Sequence, residues 1–281
     1  MDWLIAPFQL DFMVRGFIVA VLVGTLCSLI GSFVVLRRLA FIGDGIAHAS
    51  FAGIVIAYLR GANFYLGAAV VAVLTALGIG FVHRKANISL DTSIGVLFTG
   101  AFALGIFLMS RQRSYSVDLQ DYLFGNILGV THQDLMLVVL LCAVVAATLF
   151  FFFRALVYTS FDPVVAQASG IPSGGLDYLL LVLLALTIVV TLEAVGIILV
   201  AALLVTPAAA AYQLTRRFAV MIALSALLGA FCSVSGLYLS YYLNAASGAT
   251  IVLMATVVFF AAIAIKRLRL GRQRYARSNR P

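Results

Sequence analysis

An acidic residue and a histidine lie four positions apart inside an otherwise apolar stretch of this chain. Asp44 and His48 stand near the start of a run that continues to Tyr58. On a helix this spacing brings both side chains to one face, with Cβ atoms about 5–6 Å apart. Ionisable groups at membrane depth are costly and indicate function by default. Carboxylate and imidazole ligands suit Mn²⁺, Fe²⁺ and Zn²⁺, so the pair predicts a divalent-metal site. The structural alternative is that Asp44 caps a helix after Gly43 and His48 bonds to a neighbour.

One chain supplies too few ligands at this pair for a first-row metal ion, which takes about four to six. A homodimer with both pairs near its axis would supply four, which makes dimerisation a hypothesis from the ligand shortfall. Glu193, the only glutamate in the chain, is an additional candidate metal ligand. It could line a pore or extend to the outer interface, and both interpretations stay open.

Composition identifies the type of protein that carries these residues. The 281 residues are 64% hydrophobic and 10% charged, and the mean hydropathy is +1.16. Because a soluble domain carries about 25% charged residues, this chain is a polytopic membrane protein. We expect an all-α helical bundle with about nine transmembrane helices, with eight or ten as alternatives. The predicted spans cover about 12–36, 41–59, 64–83, 92–110, 133–153, 178–194, 196–214, 218–242 and 249–265.

The distribution of basic residues predicts the orientation of this bundle. A cytoplasmic C-terminus puts fourteen of the 18 Lys and Arg residues inside and four outside, as the positive-inside rule requires. The tail over 266–281 holds seven of the fourteen, and we interpret it as a cytoplasmic segment near anionic lipid, not a nucleic-acid site. Residues 1–11 are expected at the outer interface. Cys27, Cys142 and Cys232 have no disulfide or metal spacing.

The connection over 154–177 carries helix signals of its own. Asp162 suits an N-cap, Pro163 the first helical position and Gly170 the C-terminal stop. In the predicted helix over 162–169 the apolar residues form one stripe, which comprises Phe161, Val164, Val165 and Ala168. A helix this short would anchor weakly to lipid, so we favour a docking helix for a cytoplasmic partner.

Two further stretches are notable, a connection with possible cation ligands and a span that contains a glycine and a proline. Between the fourth and fifth spans, Asp118, Asp121 and His132 could form a second cation site, although loop and cap roles are favoured. Gly196 is expected to begin a helix that Pro207 interrupts. The alanine run 208–211 predicts a thin face for another helix or a second copy of the chain. No Gly-rich phosphate loop occurs, so the chain has no ATP site of that type.

Eight short motifs in order give the chain a recognisable pattern. They are GSFVVLRR at 31–38, GDGIAHA at 43–49, DTSIGV at 91–96, YLFGNIL at 122–128, FDP at 161–163, SGIP at 169–172, VGIILV at 195–200 and PAA at 207–209. By these motifs the chain, over about residues 12–266, resembles the permease subunits of ATP-binding-cassette importers for manganese, zinc or iron.

The resemblance implies a homodimer in the bacterial inner membrane, served by two cytoplasmic ATPase subunits and an extracytoplasmic metal receptor. It implies that Asp44 and His48 are metal ligands on the translocation path and that the helix at 162–169 contacts the ATPase. The run 192–207 is most similar to manganese and iron members, so manganese is the favoured ion. Glu193 stands where many members have an amide. Alternatives are an ion-coupled secondary transporter, a permease for iron chelates or cobalamin, and a non-transporting scaffold.

Overall fold

The computed structural model describes residues 6–111, 125 and 127–278, with side chains described between 8 and 269. In these ranges the chain is all-helical, with ten α-helices and two short 3-10 turns at Ala6–Gln9 and Ile127–Gly129. The helices are α1 Asp11–Leu36, α2 Ile42–Arg60, α3 Phe64–Ala86, α4 Leu90–Ser110, α5 His132–Phe161, α6 Pro163–Ala168, α7 Ser173–Val195, α8 Ile197–Leu214, α9 Phe218–Leu243 and α10 Ser247–Ser278.

Nine of these helices are long and apolar enough to cross a membrane, and α6 is the exception in the described ranges. The prediction of nine spans is confirmed for that part of the chain. The helix ends differ from the predicted ones by a few residues, with two exceptions: α5 continues to Phe161 instead of ending near 153, and α10 continues to Ser278 instead of ending near 265. The connection predicted over 154–177 is therefore shorter, and it covers only residues 162–172 between α5 and α7.

Three helices form the interior of the bundle. α1 packs against α5, α7, α8 and α9, while α2 packs against α3, α4 and α7. About two thirds of the residues in the most apolar segments of α1, α2 and α7 are buried, compared with 22% for α4, α5 and α10. The pair of ionisable residues in α2 is thus carried by one of the innermost helices.

Small residues allow these central helices to approach each other closely. A Cβ atom on Gly31 of α1 would overlap the carbonyl oxygen of Leu204 in α8, and one on Gly24 would lie 2.7 Å from the carbonyl oxygen of Gly229 in α9. Ala208, Ala210 and Ala211 are fully buried by other helices of this chain. The predicted thin alanine face is confirmed, with helices of the same chain against it.

The prediction that Pro207 interrupts its helix is wrong. α8 continues from Ile197 to Leu214 with Pro207 buried inside it. Proline lacks an N–H group, so the carbonyl of Leu203 loses its intrahelical donor. The hydroxyl of Ser28 in α1 donates a hydrogen bond to this oxygen at 3.3 Å. A neighbouring helix thus replaces the missing donor, as occurs where proline is accommodated inside membrane helices.

The apolar block of residues 178–214 divides at Gly196, between the predicted spans 178–194 and 196–214. α7 ends at Val195 and α8 begins at Ile197, with Gly196 alone between them at φ +83° and ψ 161°. This backbone conformation is almost restricted to glycine, which explains how two spans meet without a loop.

Candidate functional site

The start of α2 is held between two neighbouring helices through the glycines on either side of Asp44. A Cβ atom on Gly45 would press on Ile94 of α4 at 2.9 Å, and one on Gly43 would contact Leu204 of α8 at 3.6 Å. Asp44 lies in the first helical turn, where the helix dipole favours a negative charge. The sequence GDG therefore fixes a carboxylate at a closely packed helix start.

The structure brings Asp44 and His48 together as predicted. Nδ1 of His48 lies 2.9 Å from the backbone carbonyl oxygen of Asp44 and 3.4 Å from its carboxylate Oδ1. A carbonyl oxygen only accepts hydrogen bonds, so this contact requires the proton on Nδ1 and leaves the lone pair of Nε2 free. The side chain of Asp44 is 49% exposed and that of His48 25%. Both are accessible for an ion to bind.

Two phenylalanines of α4 form a wall beside the imidazole. The ring centroid of His48 lies 5.4 Å from that of Phe102, edge to face, and 6.3 Å from that of Phe98. These contacts restrict the rotation of the imidazole. They also make one side of the candidate site apolar. Sequence reasoning did not identify either phenylalanine, although positions 98 and 102 share one face of α4.

Glu193 lies away from this pair, at the opposite end of the bundle. It belongs to the last turn of α7, near Asp134 at the start of α5 and Tyr65 at the start of α3, and its Oε2 atom is buried without a hydrogen-bond partner. Tyr65 donates a hydrogen bond to Asp134 at 2.5 Å. Among the described side chains, no group of three potential His, Cys, Asp or Glu ligands occurs. A single chain therefore does not join Glu193 to the Asp44–His48 pair.

The predicted second cation site falls mostly outside the described residues. Asp118 and Asp121 lie in the range 112–124, and only His132 is described. His132 is the first residue of α5, whose start is fixed by reciprocal hydrogen bonds between Thr131 and Asp134. At His132 the structure agrees with a location at a helix cap.

The short helix in the connection matches its prediction. The carboxylate of Asp162 accepts hydrogen bonds from the backbone N–H groups of Val164 and Val165, which caps α6 at its N-terminus. Pro163 is the first helical residue and Gly170 follows the helix at φ +81°. Ala166 alone is buried. The other residues from 161 to 168 are exposed, namely Phe161, Asp162, Pro163, Val164, Val165, Gln167 and Ala168.

The exposure of this apolar stripe indicates that α6 presents a contact surface. Phe161, Val164 and Val165 are 60%, 75% and 49% exposed. Each large apolar side chain that another protein covered would contribute roughly 1–3 kcal/mol. We call this stripe the docking surface, defined by Phe161, Val164, Val165 and Ala168.

A partly buried arginine connects the docking surface to the corner before Asp44. Arg37 at the end of α1 donates hydrogen bonds to Thr159 and Ser160 in the last turn of α5, at 3.1 and 2.9 Å. It also pairs with Asp177 in α7 at 2.7 Å, and Arg84 of α3 pairs with the second carboxylate oxygen at 2.5 Å. Arg37 thereby holds both flanks of the connection that carries α6.

Sequence reasoning missed this network because it joins four helices that are distant along the chain. One local signal was available: Asp177 is an acid directly before an apolar span, at the bundle end where Arg37 and Arg84 gather. We call this the basic end. An acid among arginines at the end of a span is a candidate partner for them.

Comparisons with known proteins agree with these features. The sequence pattern of the ABC 3 transport family matches residues 9–266. The manganese transport system membrane protein MntC of Halalkalibacterium halodurans is 44% identical over 249 residues, covering 89% of this chain and 85% of that protein. A probable iron transport system membrane protein of Haemophilus influenzae is 36% identical over 269 residues, covering 96% and 99%.

A solved structure has the same fold. The structure of PsaBC from Streptococcus pneumoniae in complex with Fab matches with a TM-score of 0.81 and 37% sequence identity, over 93% of this chain and 94% of that one. The family match over residues 9–266 includes the helix that carries Asp44 and His48.

Proposed function

Because this chain belongs to the ABC 3 transport family and is a multi-pass membrane subunit of an ABC transport system, we propose that it is the permease of a manganese importer. In this proposal it moves Mn²⁺ from an extracytoplasmic receptor into the cytoplasm of a bacterium. ATP hydrolysis in a separate cytoplasmic subunit drives the transport. The basic end faces the cytoplasm, in line with the positive-inside distribution of Lys and Arg.

The observation that carries the proposal is the geometry of Asp44 and His48. Nδ1 of His48 is held by a backbone carbonyl, so Nε2 has its lone pair free for a metal ion. The carboxylate of Asp44 lies on the same helix face and is half-exposed. Mixed oxygen and nitrogen ligands suit Mn²⁺ and Fe²⁺.

Two copies of the chain would complete the coordination of the transported ion. The described residues of one chain offer two side-chain ligands at this place, and a homodimer would offer four. Water or backbone oxygen would supply the rest of the shell. We assign the docking surface on α6 to the ATPase subunit, because an exposed apolar stripe at the basic end suits a cytoplasmic partner.

Iron is the second candidate ion, since a relative named as a probable iron transport protein aligns over 99% of its length. The same residues would serve Fe²⁺, which has similar ligand preferences. Uptake of radioactive Mn²⁺ in competition with Fe²⁺ and Zn²⁺ separates the two assignments.

The test is metal uptake by cells that contain the chain together with its ATPase and receptor. We expect His48→Gln and Asp44→Asn to reduce ATP-dependent Mn²⁺ uptake by more than about tenfold at matched expression, because each removes a ligand. The control variants are His83→Gln and Asp91→Asn, which change the same residue types elsewhere on the basic end. Uptake retained in His48→Gln, or lost equally in the controls, would contradict the proposed role.

A further inference from the structure

A second feature of the basic end is a cavity of about 580 Å³ where several helices converge. It lies among the last residues of α1, α5 and α8, the start of α9 and the last membrane turn of α10. Its size is within the range of small-ligand sites. The apolar part of its lining comprises Leu36, Phe161, Leu214, Phe218 and Met221.

Of the side chains that the structure describes, four cationic ones line this cavity and no acidic one does. The cations are Arg216, Arg217, Lys266 and Arg269. Lys266 donates a hydrogen bond from Nζ to Gln213 at 2.7 Å, which directs its ammonium group toward the end of α8. Among the described side chains, none of the four forms a salt bridge. At the same end of the bundle, by contrast, Arg37 and Arg84 both form ion pairs with Asp177.

Four like charges around one concave site repel each other unless an anion lies between them. Basic residues at the cytoplasmic ends of membrane helices are common, but they are usually separated on the surface. Lys85 and Arg154 are examples here, since both are exposed and line none of the cavities described. The convergence of four cations on one cavity therefore indicates a bound anion.

The location of the cavity indicates which anion it takes. Its walls include the ends of α9 and α10, whose most apolar segments are only 28% and 22% buried, so that their outer faces are not covered by this chain. An apolar lining beside four cations suits a molecule with a phosphate group and an attached hydrocarbon part. Basic pockets between membrane helices on this side bind anionic lipid headgroups.

We propose that this cavity binds the phosphate headgroup of an anionic phospholipid of the cytoplasmic leaflet. Arg216 and Arg217 approach the headgroup from the connection between α8 and α9, and Lys266 and Arg269 approach it from α10. Phe218 and Met221 provide apolar contact for the glycerol and upper acyl chain. The site is separate from the Asp44–His48 pair and does not depend on which ion is transported.

The experiment measures lipid retention by the full-length chain in nanodiscs. The chain is reconstituted in phosphatidylcholine with increasing phosphatidylglycerol, and the lipids that stay bound are counted by native mass spectrometry. The test variant is Arg217→Gln/Arg269→Gln, which removes one cation from each wall. The matched control is Lys85→Gln/Arg154→Gln, which removes two exposed cations from the same end.

We expect the wild type to retain phosphatidylglycerol over phosphatidylcholine. The test variant should lose this preference by at least about tenfold, and the control by less than about twofold. An equal loss in both variants would assign the effect to general surface charge and overturn the proposal. Absence of a preference in the wild type would do the same. Lys266→Gln alone serves as a milder variant if the double substitution lowers stability, and we expect it to weaken retention by about fivefold.

Two further arms identify other occupants. Inorganic phosphate is added to the discs at increasing concentration. If it displaces phosphatidylglycerol completely at millimolar levels, the cavity is a site for free phosphate and the lipid proposal is wrong. The ATPase subunit is also tested for binding to each variant. If Arg217→Gln/Arg269→Gln retains lipid but loses the ATPase, an acidic protein segment occupies the cavity and the lipid proposal is likewise overturned.

Discussion

Replacing Arg37 by methionine removes the guanidinium that joins α1, α5 and α7 at the basic end and, through Asp177, also α3. The side chain is 14% exposed and makes one ion pair and two hydrogen bonds to hydroxyl groups. The partners keep other contacts in the variant. Thr159 and Ser160 still donate to the carbonyl of Leu156, and Asp177 still pairs with Arg84. The free energy of unfolding therefore falls only by the contribution of the lost interactions, because no charge is left buried without a partner.

Each hydroxyl contact contributes about 1 kcal/mol, and the partly buried ion pair contributes about 1 kcal/mol. We therefore expect Arg37→Met to lower the free energy of unfolding by about 3 kcal/mol. For a chain of this size, that corresponds to a fall of roughly 6–12 °C in the unfolding temperature.

Unfolding can be followed in detergent with a thiol-reactive fluorophore, because the free cysteines Cys27 and Cys232 are fully buried in the folded chain. Arg38→Met is the matched control: Arg38 is the next residue, is exposed, and its hydrogen bond among the described residues is from its backbone N–H, which the substitution keeps. It should shift the unfolding temperature by less than about 2 °C. An Arg37→Met variant as stable as wild type, or a fall of equal size in Arg38→Met, would refute the reasoning.

Two other predictions follow from packing and from the docking surface. Gly31→Ala should destabilise the chain by about 3 kcal/mol or more, because its Cβ would overlap a backbone oxygen of α8, whereas Gly95→Ala, with open space around it, should be neutral or slightly stabilising in the same unfolding assay. Val164→Glu should reduce co-purification of the ATPase by at least about tenfold, because it puts a charge on the apolar stripe. Gln167→Glu, which adds the same charge elsewhere on α6, should reduce co-purification of the ATPase less. An equal reduction in both variants would argue against docking through the stripe.

The sequence was sufficient for features that depend on local composition. The nine spans follow from apolar runs of sufficient length, and the division at Gly196 follows from a run too long for one span. The Asp44–His48 contact was predictable because i, i+4 neighbours meet on any helix. The start of α6 was likewise local, since Asp162 and Pro163 act on the backbone directly after them.

Features that depend on another helix were beyond the sequence. Pro207 predicts an interrupted helix, and only the position of Ser28 in the folded chain explains why α8 continues. The last two turns of α5 follow Arg154, which marks a span end by composition, yet Leu156 is fully buried and Ser160 contacts Arg37. The location of Glu193 at the opposite end from Asp44 required the topology of the bundle.

The contacts of Ser28 also have a consequence for biosynthesis. Its hydroxyl bonds to Leu203 and its carbonyl accepts from Ser225, which are 175 and 197 positions later in the chain. Because synthesis adds about 5–20 residues per second, roughly 10–40 s pass between the synthesis of α1 and that of these partners. No charged residue occurs between Arg15 and Arg37, so α1 can remain inserted among lipids during this interval. α1 is therefore synthesised well before its partners in α8 and α9, and the contacts among these three helices can form only after α9 has been made.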